Sequence, residues 1–175
     1  MLFATPRLVL PALAAVLLAG CGLFATAPAP APVAPLPTHD PVAAIRAAGE
    51  RDKSVIAVNP LRDPGVTALQ DSARLDEQGG RYRDAASALD QALKLSPESP
   101  DLLQERAEVA VRLGDFGTAE RLAHQSWSLG PKLGPLCARN WQTVVEARLR
   151  ARDEAGADTA RKWVDRCHKP GVPRY

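Results

Sequence analysis

Histidine is scarce in this 175-residue chain, with one each at 39, 124 and 168, and no base is placed to serve a nucleophile. There is no G-x-S-x-G turn, no H-E-x-x-H helix and no phosphate-cradling glycine loop, so the common hydrolase, zinc-peptidase and nucleotide chemistries have no residues to work with. Cys167-His168 offers two ligands where a structural zinc needs four, and Asp153-Glu154 reads as solvated helix surface rather than an acid–base pair. The reading is therefore of no enzyme, no cofactor and no metal. Charge of one sign is lacking too: 22 basic against 20 acidic residues give a formal +2, which argues against nucleic acid as a partner. The longest apolar run, Leu8 to Gly20, is too short to cross ~30 Å of hydrocarbon as a helix.

That run is nevertheless informative. It follows Arg7, is broken by Pro11, and closes on Leu18-Ala19-Gly20-Cys21. This arrangement resembles the lipobox of bacterial lipoproteins. The resemblance implies that residues 1–20 are a signal peptide removed ahead of Cys21, whose thiol and amine then carry lipid, two signals that together anchor stably. Gly22 stands where an aspartate would imply retention in the inner membrane, so the resemblance implies an outer-membrane anchor facing the periplasm. Between Ala25 and Pro41, prolines at 28, 30, 32, 35, 37 and 41 remove backbone donors and favour extended polyproline II. At ~3.1 Å per residue, some 15 residues would space a folded part about 45 Å from the lipids. Val42 to Ala48 reads as one short helix, and Ser54 to Val58 as a short strand or docked extended segment.

Beyond residue 63 the chain repeats itself. Leu69 and Leu103, Ala73 and Ala107, Gly80 and Gly114, Tyr82 and Phe116, Ala85 and Ala119, Leu95 and Leu129, and Pro97 and Pro131 are pairs of one kind, each 34 residues apart. Each type has work to do in a helical hairpin. The alanines let antiparallel helices approach, the glycines allow the interhelical turn, and the aromatics plug its open end. Pro97 and Pro131 stop the second helices, while Pro64, Pro100 and Pro135 open the first ones, with Asp63 and Ser99 as N-caps. Gly79 to Pro97 and Leu113 to Ala119 carry a pattern that resembles the tetratricopeptide repeat, whose 34-residue hairpins stack into a superhelix. The implied fold is all-α: a short solenoid of two clear repeats and a degenerate third, after a signal peptide and a disordered Pro-rich linker. In the third copy the turn is read near Ala155 to Asp158, with Ala160 as the small residue and Trp141 and Trp163 as core aromatics. The domain reading is 1–20 signal peptide, 21–63 anchor and linker, 64–168 repeat domain and 169–175 tail.

With Cys21 lipidated, an even pair remains, Cys137 and Cys167, in a compartment that permits disulfides. Antiparallel helices of the third hairpin bring those ends together, so a bridge is expected, the alternative being two separately buried thiols. Stacked hairpins present a concave surface that in this family grips a peptide or helix. The family's groove positions fall on Gln70, Arg74 and Glu77, on Gln104, Glu108 and Arg112, and on Arg139, Gln142 and Glu146. The resemblance implies a periplasmic scaffold or adaptor for another envelope protein. A pilotin-like or barrel-assembly factor, an adaptor for cell-wall enzymes and, in a different class, a peptidoglycan-modifying enzyme are the alternatives.

Overall fold

The helices start and stop where local chemistry tells them to. The computed structural model describes residues 35–51 and 63–168. Seven helices fall among them: α1 (Pro41–Glu50), α2 (Pro64–Gln78), α3 (Tyr82–Leu95), α4 (Pro100–Arg112), α5 (Phe116–Leu129), α6 (Pro135–Arg150) and α7 (Glu154–Cys167). Proline opens α1, α2, α4 and α6, where its missing N–H costs nothing and its fixed φ suits the first turn. Asp63 accepts the Gly65 N–H at 2.7 Å. Ser99 takes the cap position of α4, but its hydroxyl donates to the Asp101 carboxylate at 2.7 Å instead of accepting from the helix. No strand is present among the described residues. The expected signal peptide, Cys21, the start of the proline tract, Ser54 to Val58 and the tail lie outside them.

The hairpin turns share one geometry. After α2, Gly80 at φ 73° donates to Glu77 O and Arg81 to Asp76 O, at 3.0 and 2.8 Å. Gly114 at φ 75° and Asp115 repeat this on Val111 and Ala110. It is the paired bonding that satisfies a helix's last carbonyls through one left-handed residue. The third turn corrects the sequence reading, because it lies at Ala151 to Asp153 and the left-handed residue is Arg152, φ 61°, with the same two bonds to Leu149 and Arg148. Gly156 is inside α7, where it donates to the Asp153 cap at 2.9 Å. Five residues beyond each turn residue stand Ala85, Ala119 and Ala157, all fully buried, so Ala157 holds the small-residue role and Ala160 packs one turn later. From 114 to 152 is 38 residues; α6 is 16 residues long against 13 for α4, which accounts for most of the excess over 34.

α2 pairs with α3, α4 with α5 and α6 with α7, and successive pairs stack through α3 on α4 and α5 on α6. All of this belongs to one compact unit, residues 34–175. Cys137 in the first turn of α6 and Cys167 at the end of α7 are bonded, Cα to Cα 5.6 Å, and the Gly134 N–H closes the same end onto Cys167 O at 2.8 Å. Trp141 and Trp163 stack at 5.1 Å between centroids, with Trp127 edge-on to both. All three are half-buried rather than interior. No described helix is long and apolar enough to cross a membrane.

α1 stands outside the hairpin pattern. It lies within the range read as linker, yet it packs on α6 and α4 with Val42, Ile45 and Ala48 fully buried. Ten residues cannot hold a helix alone, so tertiary contact keeps it formed; burying a valine or isoleucine contributes roughly 1.5–3 kcal/mol each.

Three helices are capped by aspartates held below their ordinary pKa of 3.8. Asp40 on α1 is pulled up by partial burial, but hydrogen bonds from Arg112 and from the Ala43 and Val42 N–H groups outweigh it. Asp115 on α5 is lowered by the Thr118 N–H, and Asp153 on α7 by the Gly156 N–H and then by Arg148. A depressed folded pKa gives stability that is complete above the unfolded value and lost as pH falls through the folded one. The Tm is therefore expected to hold level from pH 7 to about 5 and drop below about pH 4. Thermal melts followed by circular dichroism check this, and Asp115→Asn should shrink the acid loss.

Candidate functional site

The helices α2, α4 and α6 carry a polar column along one face, set by their register to the turns. Ten residues before each turn residue comes a glutamine, Gln70, Gln104 and Gln142; six before come Arg74, Glu108 and Glu146. These are six of the nine residues expected to line the groove. Gln104, Glu108 and Glu146 do face it, but they are not open to a partner. Each is at most 1% exposed, covered by α1 and the residues leading into it.

The buried carboxylates are fully engaged. Glu108 accepts from Arg46 Nε at 2.9 Å, from Arg139 Nε at 2.8 Å and Nη2 at 2.5 Å, and from Gln104 Nε2 at 3.0 Å. Gln104 also donates to Thr143 Oγ1 at 2.9 Å. Glu146 accepts from Gln142 Nε2 at 3.0 Å and from His39 Nε2 at 2.9 Å; since a carboxylate only accepts, that ring nitrogen carries a proton. Arg112 Nη1 donates to both oxygens of Asp40 at 2.9 Å. Arg46 also reaches Glu77 at 2.6 Å, and although burial alone would lower its pKa, Glu108 and Glu77 together raise it. The groove thus already seats a helix, the chain's own. His39, Asp40 and Arg46 are the residues that sequence reasoning missed.

Beside α1 part of the concave face stays open, a cleft of about 450 Å³. Ala73, Leu89 and Val109 form an apolar floor with Tyr82 at its edge. Arg46, Arg74, Arg112 and Arg139 stand around it, against Glu77 and Glu105. Gln70, on the same helix as Arg74, is nearly buried and donates to Glu105 at 2.7 Å. Arg74 is the freest of the cationic walls, about half exposed, 2.9 Å from Asp71 and 3.7 Å from Glu105. Of the expected site residues, then, Arg74, Glu77, Arg112 and Arg139 share one open cleft, while Glu108 and Glu146, braced by Gln104 and Gln142, hold the N-terminal segment.

Cys137 and Cys167 are spent in their disulfide, so Cys167 and His168 cannot act together as a thiolate–imidazole pair. Among the described residues no group of three or more histidine, cysteine or carboxylate side chains converges on one point. What this arrangement can do chemically is hold a polar segment through ion pairs over an apolar floor.

The tetratricopeptide-repeat family profile matches residues 78–132. No curated protein matches the chain. Among solved structures, the globular C-terminal domain of P. aeruginosa LpoP superposes with a TM-score of 0.57 at 30% identity, over 60% of this chain and 99% of that domain.

Proposed function

The chain belongs to the tetratricopeptide-repeat family, and from that premise we propose that it is a protein-binding scaffold or adaptor of the bacterial envelope, without chemistry of its own. The observation that carries this reading is the cleft beside α1: a concave, polar-walled, apolar-floored site of about 450 Å³, on a face that already accommodates one helix. Such a face grips a partner's peptide or helix by laying apolar anchors on its floor and polar groups on its walls. The lipobox-like Leu18-Ala19-Gly20-Cys21 supports an outer-membrane lipid anchor on Cys21, with the domain facing the periplasm. The proline-rich stretch would give the domain reach toward an assembly machine or a cell-wall enzyme.

Photocrosslinking in intact cells tests this. A benzophenone side chain at Tyr82, on the rim of the cleft, should capture one envelope protein. Arg74→Glu should abolish that product while leaving the helical circular dichroism unchanged, since Arg74 makes only surface ion pairs. Arg112 is the poorer choice because it also ties down Asp40. In the same cells Cys21→Ser should move the protein out of the membrane fraction. An undiminished product from the Arg74→Glu chain would remove the groove from the proposal.

A further inference from the structure

We propose that the outward face of α2 pairs with the same face of a second copy of this chain. The observation that carries this is one of register. Twelve and five residues before the turn residue, α4 has Leu102 and Val109 and α6 has Asn140 and Ala147, all at most 3% exposed, since the second helix of the preceding hairpin packs on each. α2 has Ala68 and Leu75 at the same two places. Among the described helices it packs chiefly on α3, and there Ala68 is exposed and Leu75 is 64% exposed, more open than any other large apolar side chain described. Single surface leucines are ordinary, but this one stands at a position that the other two repeats keep in the core.

The other end of the stack is built differently. Six, nine and thirteen residues after the turn residue, α3 offers Ala86, Leu89 and Leu93 to the apolar cluster it shares with α4. At those places α7 has Asp158, Arg161 and Asp165, all exposed. Charge closes that end. It also blocks head-to-tail growth, because the stripe on α2 would meet those charges, so a second copy comes face to face, α2 on α2.

The stripe is complementary to itself. Ala68, Ser72 and Leu75 follow at spacings of four and three and share one helix face. A two-fold axis between residues 71 and 72, with the helices antiparallel, lays Leu75 of each copy over Ala68 of the other and crosses the backbones at Ser72, small enough for close approach. The flanking charges agree. Asp71 and Arg74 lie 2.9 Å apart, both more than half exposed and opposite in sign, and the two-fold stands each Arg74 beside the partner's Asp71. None of Ala68, Ser72 and Leu75 lines the cleft, so pairing leaves it free.

A face one helix wide makes a reversible pair, so the test traps it covalently. Ser72→Cys is introduced into the full chain and intact cells are treated with a thiol oxidant. The expected product is a reductant-sensitive species of twice the mass, whose linked peptides both come from this chain. The parent chain, with Cys137 and Cys167 bonded, should stay monomeric. Gln78→Cys should give no product, since its two thiols would lie about 20 Å apart along the paired helices. Adding Leu75→Arg to Ser72→Cys should cut the yield at least about tenfold, the worth of a buried leucine, with the helical circular dichroism unchanged. Adding Leu95→Arg, at another exposed leucine, should not. Absence of product from Ser72→Cys, an equal product from Gln78→Cys, a yield indifferent to Leu75→Arg, or a product joined to a different protein overturns the inference.

Discussion

Glu108→Ala is expected to lower the Tm by about 10 °C and to release α1. The side chain is 1% exposed and is the common acceptor of Arg46 and Arg139, with Gln104 on its second face. Removing one partner of a buried pair costs about 3–5 kcal/mol, because the charges left behind keep their desolvation but lose their compensation. Here Arg46 and Arg139 are 45% and 27% exposed, so water relieves part of that loss and the lower end, about 3 kcal/mol, applies. For a domain of this size each kcal/mol moves the Tm by about 3 °C. The loss is not evenly spread. Arg46 lies on α1, which among the described helices packs on α6 and α4 outside the hairpin pairs, so the groove segment detaches before the repeats melt. Trypsin should then cut after Arg46 well below the melting temperature, whereas α2 to α5 stay protected. A Tm within 2 °C of the parent and an uncut Arg46 would show that Val42, Ile45 and Ala48 hold α1 without the ion pairs.

How far this site was legible depends on how local its determinants are. The hairpins were readable because each of their requirements sits within one turn of its cause: Gly80 and Gly114 at left-handed positions, Ala85 and Ala119 at the close approach, Pro64 and Pro100 at the first turn of a helix. The third hairpin was misplaced because its turn uses Arg152, not glycine, held left-handed by the same pair of backbone bonds. Asp153, matching Asp115 one residue past the turn, was the signal that would have located it. The groove was half legible. Repeat register picks out the polar column, but the column's occupant arrives from 62 residues away at Arg46 and 107 at His39, and no periodicity encodes that. The clue lay in the column itself: Gln104, Glu108 and Glu146 on packed helices need partners, and Asp40-Pro41 ahead of Val42 and Ile45 announces a helix with a buried side.

Reduction of Cys137–Cys167, or their joint replacement by serine, is expected to cost about 3–4 kcal/mol, again about 10 °C in Tm. The bond closes a loop of 30 residues, and holding that loop shut in the unfolded chain accounts for the whole figure in the chain-entropy treatment. Where the loss appears follows from position. Among the described helices α7 is the last, and it packs chiefly on α6 beside three half-buried tryptophans. The bond joins the end of α7 to the start of α6, so without it the free end frays. Hydrogen exchange should quicken first in α7, then in α6, with α2 and α3 little changed, and the near-ultraviolet circular dichroism of the packed Trp141 and Trp163 should weaken. Both cysteines are 1% exposed, so reductant acts only through such opening and the rate should follow α7's exchange. Two thiols that alkylate without reductant in freshly isolated protein would refute the bond; a serine double variant as stable as the parent would instead show that α6 and α7 hold each other through Val145, Ala157 and Val164 alone.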